Sequence, residues 1–247
     1  MPAPPFAKDL LGWRTPSGRT GVATPNTSDA ASKQSVTIAS AVLALLGIPT
    51  KTVAPTNPAT PFEEGVRIYL EDSLAGGVVD RDWIVDRGRP VTDFAQYSHL
   101  ARIQEIINRD QTRTLASELG RDYVIKPDVT VGIQTPTSLF LHASVSCKWT
   151  IRSDRVQNIR HEAVILTRHR RARQPHIVAV TAEPLPTRLA SIARGTGEID
   201  SVYHVAFEEL AEAVRIEGTK EQKATLAELV GQGRLYDFNT LPDVLQF

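Results

Sequence analysis

Pro127-Asp128 and Lys148 form the clearest chemical pattern in the sequence. Lys148 lies in the predicted strand 139–151, in which alternation places Ser144, Ser146 and Lys148 on one face. Burying an ammonium is costly unless an anion pairs with it, so Lys148 should face a cleft that contains anions. Pairing with the run that begins at Asp128 would bring the two charged groups within a few ångströms of each other.

An aspartate and a lysine on adjacent strands are the core of the nuclease pattern written PD-(D/E)xK. In that chemistry, carboxylates gather Mg²⁺ on the scissile phosphate, the metal lowers the pKa of an attacking water, and the lysine orients that water. Ser146 occupies the second acidic position here, and a carboxylate could instead come from Glu162 on the helix that follows. Taken alone, Lys148 would more often be an exposed lysine at a strand edge, but its joint spacing with Asp128 and Glu162 favours catalysis.

A second chemical pattern, Arg152, Asp154 and Arg155, stands at the start of the helix that follows the strand. Arginine pairs with guanine O6 and N7 in the major groove and aspartate accepts from cytosine N4, so the set suits G·C pairs. Residues 148–173 hold eight Lys or Arg against two acids, although the formal charge of the chain is zero. A local basic patch therefore lies beside the predicted site. The same residues could instead be an ordinary helix start, with Asp154 as cap and solvated arginines.

The run from Ser146 to Arg155, followed by Glu162 with thirteen residues between it and Lys148, resembles the active-site segment of the NgoMIV-type restriction endonucleases. These belong to the CCGG-recognising group of the PD-(D/E)xK nucleases. Further matches are His176-Ile177-Val178, residues 180–184, residues 195–200, Val202-Tyr203-His204, Pro127-Asp128, residues 96–100, Phe62-Glu63 and Asp29.

This resemblance implies a set of roles for the site. It assigns catalysis to Asp128, Ser146, Lys148, Glu162, Glu63 and Asp29. Mg²⁺ would be the cofactor, bound by Asp128, by the backbone carbonyl of Cys147 and by Glu162. Arg152, Asp154 and Arg155 would read the inner CCGG, and Arg188 the outer G·C pair. The implied target is GCCGGC, cut after the first G to leave 5′-phosphate ends.

The resemblance also implies partners. These are double-stranded DNA, a second copy that forms a two-fold homodimer, a homotetramer of two dimers, and a cognate DNA methyltransferase that protects the host DNA. Only nineteen residues separate Asp128 from Lys148, where the family carries a long insertion, so tetramer contacts stay open. Two alternatives also stay open: a structure-specific repair or recombination nuclease on the same core, and a sequence-specific DNA-binding protein with a decayed site.

Hydrophobic periodicity predicts the elements that must position these residues. Helices are expected over residues 35–46, 62–74, 95–109 and 154–170. Strands are expected over residues 123–133 and 139–151, paired as an antiparallel hairpin, and over 176–182 and 201–207. The order predicts an α/β fold with a restriction-endonuclease-like core, a central mixed β-sheet flanked by helices. We expect one domain over 1–247, mostly helical over 1–120, with the catalytic core over 121–215.

Composition fits this interpretation. Hydrophobic residues make up 41% of the 247, which is enough for a substantial core. One cysteine excludes intramolecular disulfides and suits a reducing cytoplasm, the expected location. The longest apolar stretch, residues 36–48, is too short to span a bilayer, and the proline-rich start does not read as a secretory signal.

Overall fold

The computed structural model describes residues 2–14, 22–112, 114, 124–195 and 197–247. Its helices are α1 (Pro5–Leu10), α2 (Lys33–Leu45), α3 (Ala59–Ala75), α4 (Ser98–Arg109), α5 (Ser153–His169), α6 (Pro186–Ala193), α7 (Phe207–Glu217), α8 (Lys220–Gly231) and α9 (Leu241–Leu245). Its strands are β1 (Asp82–Arg87), β2 (Val129–Gln134), β3 (Leu139–Lys148), β4 (His176–Thr181), β5 (Ser201–His204) and β6 (Leu235–Asp237). None of the helices in this part of the chain is long and apolar enough to cross a membrane.

The six strands form one mixed sheet in chain order, from β1 to β6. β1, β2 and β3 pair antiparallel, whereas β3, β4, β5 and β6 pair parallel. α5 connects β3 to its parallel neighbour β4, which makes a βαβ crossover. The end of β3 at Lys148 therefore lies beside the end of β4 at Thr181, with which it is in register.

Helices cover both faces of the sheet because the parallel strands are apolar on both sides. In β4, Val178 and Val180 pack on the α3 face, while Ile177 and Ala179 pack on the opposite face. α3 presents a stripe at intervals of four residues, and every member is at most 1% exposed: Phe62, Val66, Leu70 and Leu74. α5 buries Ile159, Ala163 and Leu166. This double cover explains the nearly continuous burial of β3.

The segment that follows α1 is fixed between two loops. The Trp13 N–H donates to Thr52 O at 2.8 Å, and its carbonyl accepts from Ala54 N at 2.9 Å. Arg14 N donates to Thr24 O at 2.8 Å on the other side. A Cβ on Gly12 would lie 2.9 Å from Thr52 O, so only glycine allows this close approach.

The predicted hairpin, the crossover and the mixed α/β sheet are confirmed. The helices predicted at 35–46, 62–74 and 154–170 are α2, α3 and α5, and that at 95–109 begins with a 3₁₀ turn, Ala95–Tyr97, before α4. Limiting the sheet to 121–215 was wrong, because β1 precedes this range and β6 follows it. The predicted start of a strand at Tyr123 lies outside the described residues, as does Thr196 of the 195–200 match, and β2 itself begins at Val129.

Candidate active site

Asp128 and Lys148 meet where the antiparallel pair β2 and β3 ends. Asp128 directly precedes β2, and Lys148 is the last residue of β3. Oδ2 of Asp128 accepts hydrogen bonds from Lys148 Nζ at 2.5 Å and from the backbone N–H of Cys147 at 2.7 Å. The two side chains are 21% and 23% exposed, so the pair is open to solvent at one side. The predicted approach of these two groups is confirmed.

Two glutamates approach this pair from opposite faces of the sheet. Glu162 lies in α5, where burial raises its pKa, the charge of Lys148 lowers it and that of Asp128 raises it further. Glu63 lies in α3, where burial and then the charge of Asp128 raise its pKa. Both carboxyl groups are therefore within electrostatic range of Asp128 and Lys148, as expected for members of one site.

The donor chemistry of this cluster fits Mg²⁺. Asp128, Glu63 and Glu162 supply carboxylate oxygens, the ligands that Mg²⁺ prefers. Three carboxylates against one ammonium leave a formal charge of −2, which a divalent cation would balance. Among the residues that the structure describes, no group of three or more His, Cys, Asp or Glu side chains is arranged to hold a metal. In this structure the carboxylate of Asp128 accepts a hydrogen bond from the ammonium of Lys148.

Ser146 and Cys147 are the two residues of β3 that precede Lys148. Ser146 is buried at 4% exposure. The thiol of Cys147 packs in the core on the α3 face, and burial raises its pKa well above the usual value. A thiol that is seldom ionised is a poor nucleophile. Cys147 contributes to the site through its backbone, whose N–H holds Asp128.

The arginines of the predicted recognition segment line the same cleft as Lys148. This cleft has a volume of about 670 Å³, and Glu63, Lys148, Arg152 and Arg155 contribute to its walls. Arg155 donates from one nitrogen to the carbonyl and the hydroxyl of Thr150, at 2.7 and 3.0 Å. Arg152 immediately precedes α5, and Asp154 is exposed in its first turn. The fold thus places Glu63 and Lys148 in one concavity with Arg152 and Arg155.

Asp29 lies with the arginines rather than with Asp128. Its carboxylate accepts a hydrogen bond from Arg188 in α6, which is the main reason why its pKa is lowered. The charge of Arg152 acts on it in the same direction. These three residues line a neighbouring cleft of about 570 Å³. The structure therefore groups Glu63, but not Asp29, with the catalytic pair.

Glu183 is a buried acid for which the sequence analysis gave no role. It is fully buried, and its two oxygens accept from Ile151 N at 2.9 Å and Leu185 N at 3.1 Å. Arg188 lies 4.0 Å from it. Burial raises its pKa to about 7, against the effect of the two N–H donors. In the sequence, its position between Ala182 and Pro184 was the only indication of a special role. Through these two hydrogen bonds Glu183 connects Ile151, the residue before Arg152, to Leu185 at the start of α6.

In the structure, Asp128 lies directly before β2, Lys148 at the end of the adjacent β3, and Glu162 on α5, the helix that follows β3. The chain belongs to the NgoMIV restriction enzyme family, whose model matches residues 13–137 and 132–247. The resemblance inferred from residues 146–155 and Glu162 is confirmed at the level of the family.

A curated relative and a solved structure extend this comparison. Type II restriction enzyme NgoMIV of Neisseria gonorrhoeae is 40% identical over 179 residues, which cover 62% of this chain. The aligned region spans 62% of the length of that relative. The crystal structure of pre-specific restriction endonuclease BsaWI with DNA is 13% identical, with a TM-score of 0.35, over 69% of this chain and 65% of that one. So distant a likeness carries no weight for function.

Proposed function

We propose that this chain is a type II restriction endonuclease that hydrolyses both strands of double-stranded DNA at a palindrome with a central CCGG. The observation that carries the proposal is the shared cleft, which Lys148, bound to Asp128, lines together with Arg152 and Arg155. A hydrolytic pair and guanine-pairing side chains in one concavity suit sequence-specific cutting. Membership of a family of restriction enzymes supports the same conclusion.

The chain's own groups would divide the chemistry among them. Asp128, Glu162 and the carbonyl of Cys147 would hold Mg²⁺, while Ser146 and Glu63 complete the polar surroundings. Mg²⁺, when bound, supplies positive charge at the scissile phosphate and lowers the pKa of water. Lys148 can orient the attacking water with its ammonium, since it is held at the mouth of the site by Asp128. In-line attack of water on the phosphorus, with the P–O3′ bond broken and the 3′ oxygen leaving as a hydroxyl, would leave the phosphate on the 5′ end.

Base recognition would use two groups of residues. Arg152, Asp154 and Arg155 would contact the inner CCGG, because arginine suits guanine and aspartate suits cytosine. Arg188 would contact the outer G·C pair, which makes GCCGGC, cut after the first G, the expected target. Asp29 holds the guanidinium of Arg188, so it would belong to this half of the site.

A palindromic target is matched by two copies of a protein related by a two-fold axis. We therefore infer that the chain acts as a homodimer. From the family resemblance we infer further that two dimers associate into a homotetramer. DNA with the same sequence in the host would need protection by a cognate methyltransferase.

Digestion of a plasmid of known sequence, with and without Mg²⁺, followed by sequencing of the fragment ends, tests the proposal. We expect every 5′ fragment end to begin with CCGG, and a Lys148→Ala preparation serves as the control for contaminating nuclease. Ends that map to junctions or hairpins would favour the repair nuclease, and retained specific binding without cutting would favour the DNA-binding protein. Fragment ends that lack CCGG would overturn the proposed specificity.

A further inference from the structure

The cleft that holds Lys148 has an unbalanced charge to which residues outside the proposed site contribute. Its charged lining consists of four cations, Arg14, Lys148, Arg152 and Arg155, and one carboxylate, Glu63. Lys148 is neutralised by Asp128. Among the described residues, no carboxylate lies within the 4.0 Å ion-pair distance of Arg14, Arg152 or Arg155. The nearby carboxylate of Asp29 is bound to Arg188 instead. An excess of fixed positive charge in a concave surface attracts an anion.

Arg14 comes to this cleft from a different element than the other two arginines. It belongs to the segment between α1 and residue 15, whereas Arg152 and Arg155 lie at the start of α5. Partial burial and then the charge of Arg152 lower the pKa of Arg14, while the charge of Asp29 raises it, so the guanidinium groups of Arg14 and Arg152 are close enough to repel each other. This repulsion is relieved when an anion enters between them.

The guanidinium of Arg14 is held in place before any ligand arrives. One of its nitrogens donates to the carbonyl of Asn26 at 2.8 Å, and its backbone N–H donates to Thr24. Asn26 is itself fixed, since its side chain accepts from Gly12 N and donates to Leu10 O at 2.7 Å. Arg14 remains exposed in spite of these bonds. A prearranged arginine loses less conformational entropy on binding than a free one.

We infer that Arg14 binds a backbone phosphate of the DNA, and that it does so without reading a base. The inference rests on the proposed function. Arg14 lines the same cleft as Lys148, which would act on the scissile phosphate, and as the base-reading arginines. The sugar-phosphate strand that connects the bases to the scissile phosphate would therefore pass within reach of Arg14. Arginine suits phosphate through charge-assisted hydrogen bonds, and such contacts fix the register of a protein on the duplex.

Salt dependence of binding tests this inference. Fluorescence anisotropy would be measured with one duplex that contains GCCGGC and one that lacks CCGG, in buffer with a chelator, over a range of KCl concentrations. For Arg14→Ala we expect weaker binding to both duplexes by the same factor, and a plot of log K against log [KCl] whose slope is smaller by about 0.9. Arg14→Lys should retain most of the slope.

Arg215→Ala is the matched control, because this substitution removes the same charge. Arg215 is an exposed arginine in α7, where it pairs with Glu212. An unchanged slope for Arg14→Ala, or a loss confined to one base position, overturns the inference while the proposed function stands. Should Arg14→Ala unfold, Arg14→Gln removes the charge but keeps an N–H for Asn26 O, and the same criteria apply. If the wild type binds neither duplex, both the proposed function and this inference fail.

Discussion

A single carboxylate oxygen organises the proposed catalytic pair, Asp128 and Lys148. The ammonium of Lys148 and the N–H of Cys147 both donate to Oδ2 of Asp128, so the orientation of this carboxylate is set by the strand that carries the lysine. The two residues are therefore interdependent in position. They face the reacting phosphate in the proposal, and neither is a base-reading group.

Replacing either member of the pair should separate cutting from binding. For Asp128→Ala and Lys148→Ala we expect loss of cleavage with site-specific binding preserved, because the changed groups act on metal and water. Cleavage of supercoiled plasmid and anisotropy with a GCCGGC duplex measure the two properties. Lys126→Ala, at an exposed position two residues before Asp128, is the control. Near-normal Mg²⁺-dependent cutting by either variant would remove the catalytic assignment.

Arg188 should affect the outer base pair more than the inner ones. Loss of one arginine contact to guanine lowers discrimination by about 1–3 kcal/mol, so Arg188→Ala should cut CCGG sites with altered flanks nearly as well as GCCGGC. Cleavage rates on duplexes that differ only in the outer pair provide the measurement. Arg194→Ala, at the end of α6 and paired with Glu228, is the matched control. Unchanged preference for the outer pair would contradict the role of Arg188.

Glu183 should make the free energy of unfolding depend on pH. Its pKa rises from 4.5 to about 7 on folding. Between these values the unfolded chain has released the proton that the folded chain keeps, so stability is present at low pH and is lost as the pH rises through this window. The shift corresponds to about 3 kcal/mol.

The variant Glu183→Gln cannot titrate, so the wild type should lose about 3 kcal/mol relative to it between pH 4.5 and pH 8. Urea unfolding at the two pH values measures this difference. The buried histidines titrate in both proteins and cancel. A difference between the two proteins that stays constant with pH would show that Glu183 carries the same charge in both states.

At the level of elements, α1 packs against α3 through a glycine. A Cβ on Gly65 would lie 2.5 Å from Cδ2 of Phe6 and 2.9 Å from its Cβ. Gly65→Ala should therefore destabilise the protein by about 1 kcal/mol, since overpacking costs more than alanine gains in a helix. Gly76→Ala, where the nearest atom lies at an ordinary 3.5 Å, is the control in the same helix region. Equal urea midpoints for the two variants would contradict this account of the α1–α3 contact.

Elements with a clear period could be predicted, and the two outer strands could not. α3 has a regular apolar stripe, and β3 follows a turn and consists mostly of apolar and small side chains. β1 lies at the edge of the sheet, and only Val85 in it is buried, so it lacks the alternation that marks a strand. β6 has three residues, too few for any pattern. Both strands are defined by their neighbours in the sheet.

The same division holds in the candidate site. Asp128 and Lys148 could be paired from sequence because a short hairpin connects their strands. The bond between Asp29 and Arg188 joins residues 159 positions apart, and no local pattern indicates it. Glu183 makes its contacts through the backbone of Ile151 and Leu185, which leave no trace in residue type. Long-range contacts of this kind require the folded chain.

For the whole molecule, the zero formal charge conceals a local excess of cations in the cleft that holds Lys148. Acids elsewhere balance these cations, so non-specific attraction to DNA should be local and sensitive to salt. This local charge fits the proposed binding of one face of the protein to a duplex.

Assembly should be visible in the kinetics of cleavage. If two dimers act together, plasmids with two sites should be cut faster than plasmids with one, because the second site is held at high effective concentration. Adding a short duplex with the target should then accelerate cutting of the one-site plasmid. Equal rates on the two plasmids, with a dimeric mass in solution, would restrict the assembly to the homodimer.

Alkylation of Cys147 can report the transient opening of β3. Cys147 is the one cysteine of the chain, and its thiol is buried in the core beside Lys148. A maleimide can reach it only when β3 separates from its neighbours, so the rate of alkylation measures transient exposure of the central strand. Mass spectrometry would follow that rate without an introduced label. A duplex that stabilises the folded chain should slow the reaction in proportion to its occupancy.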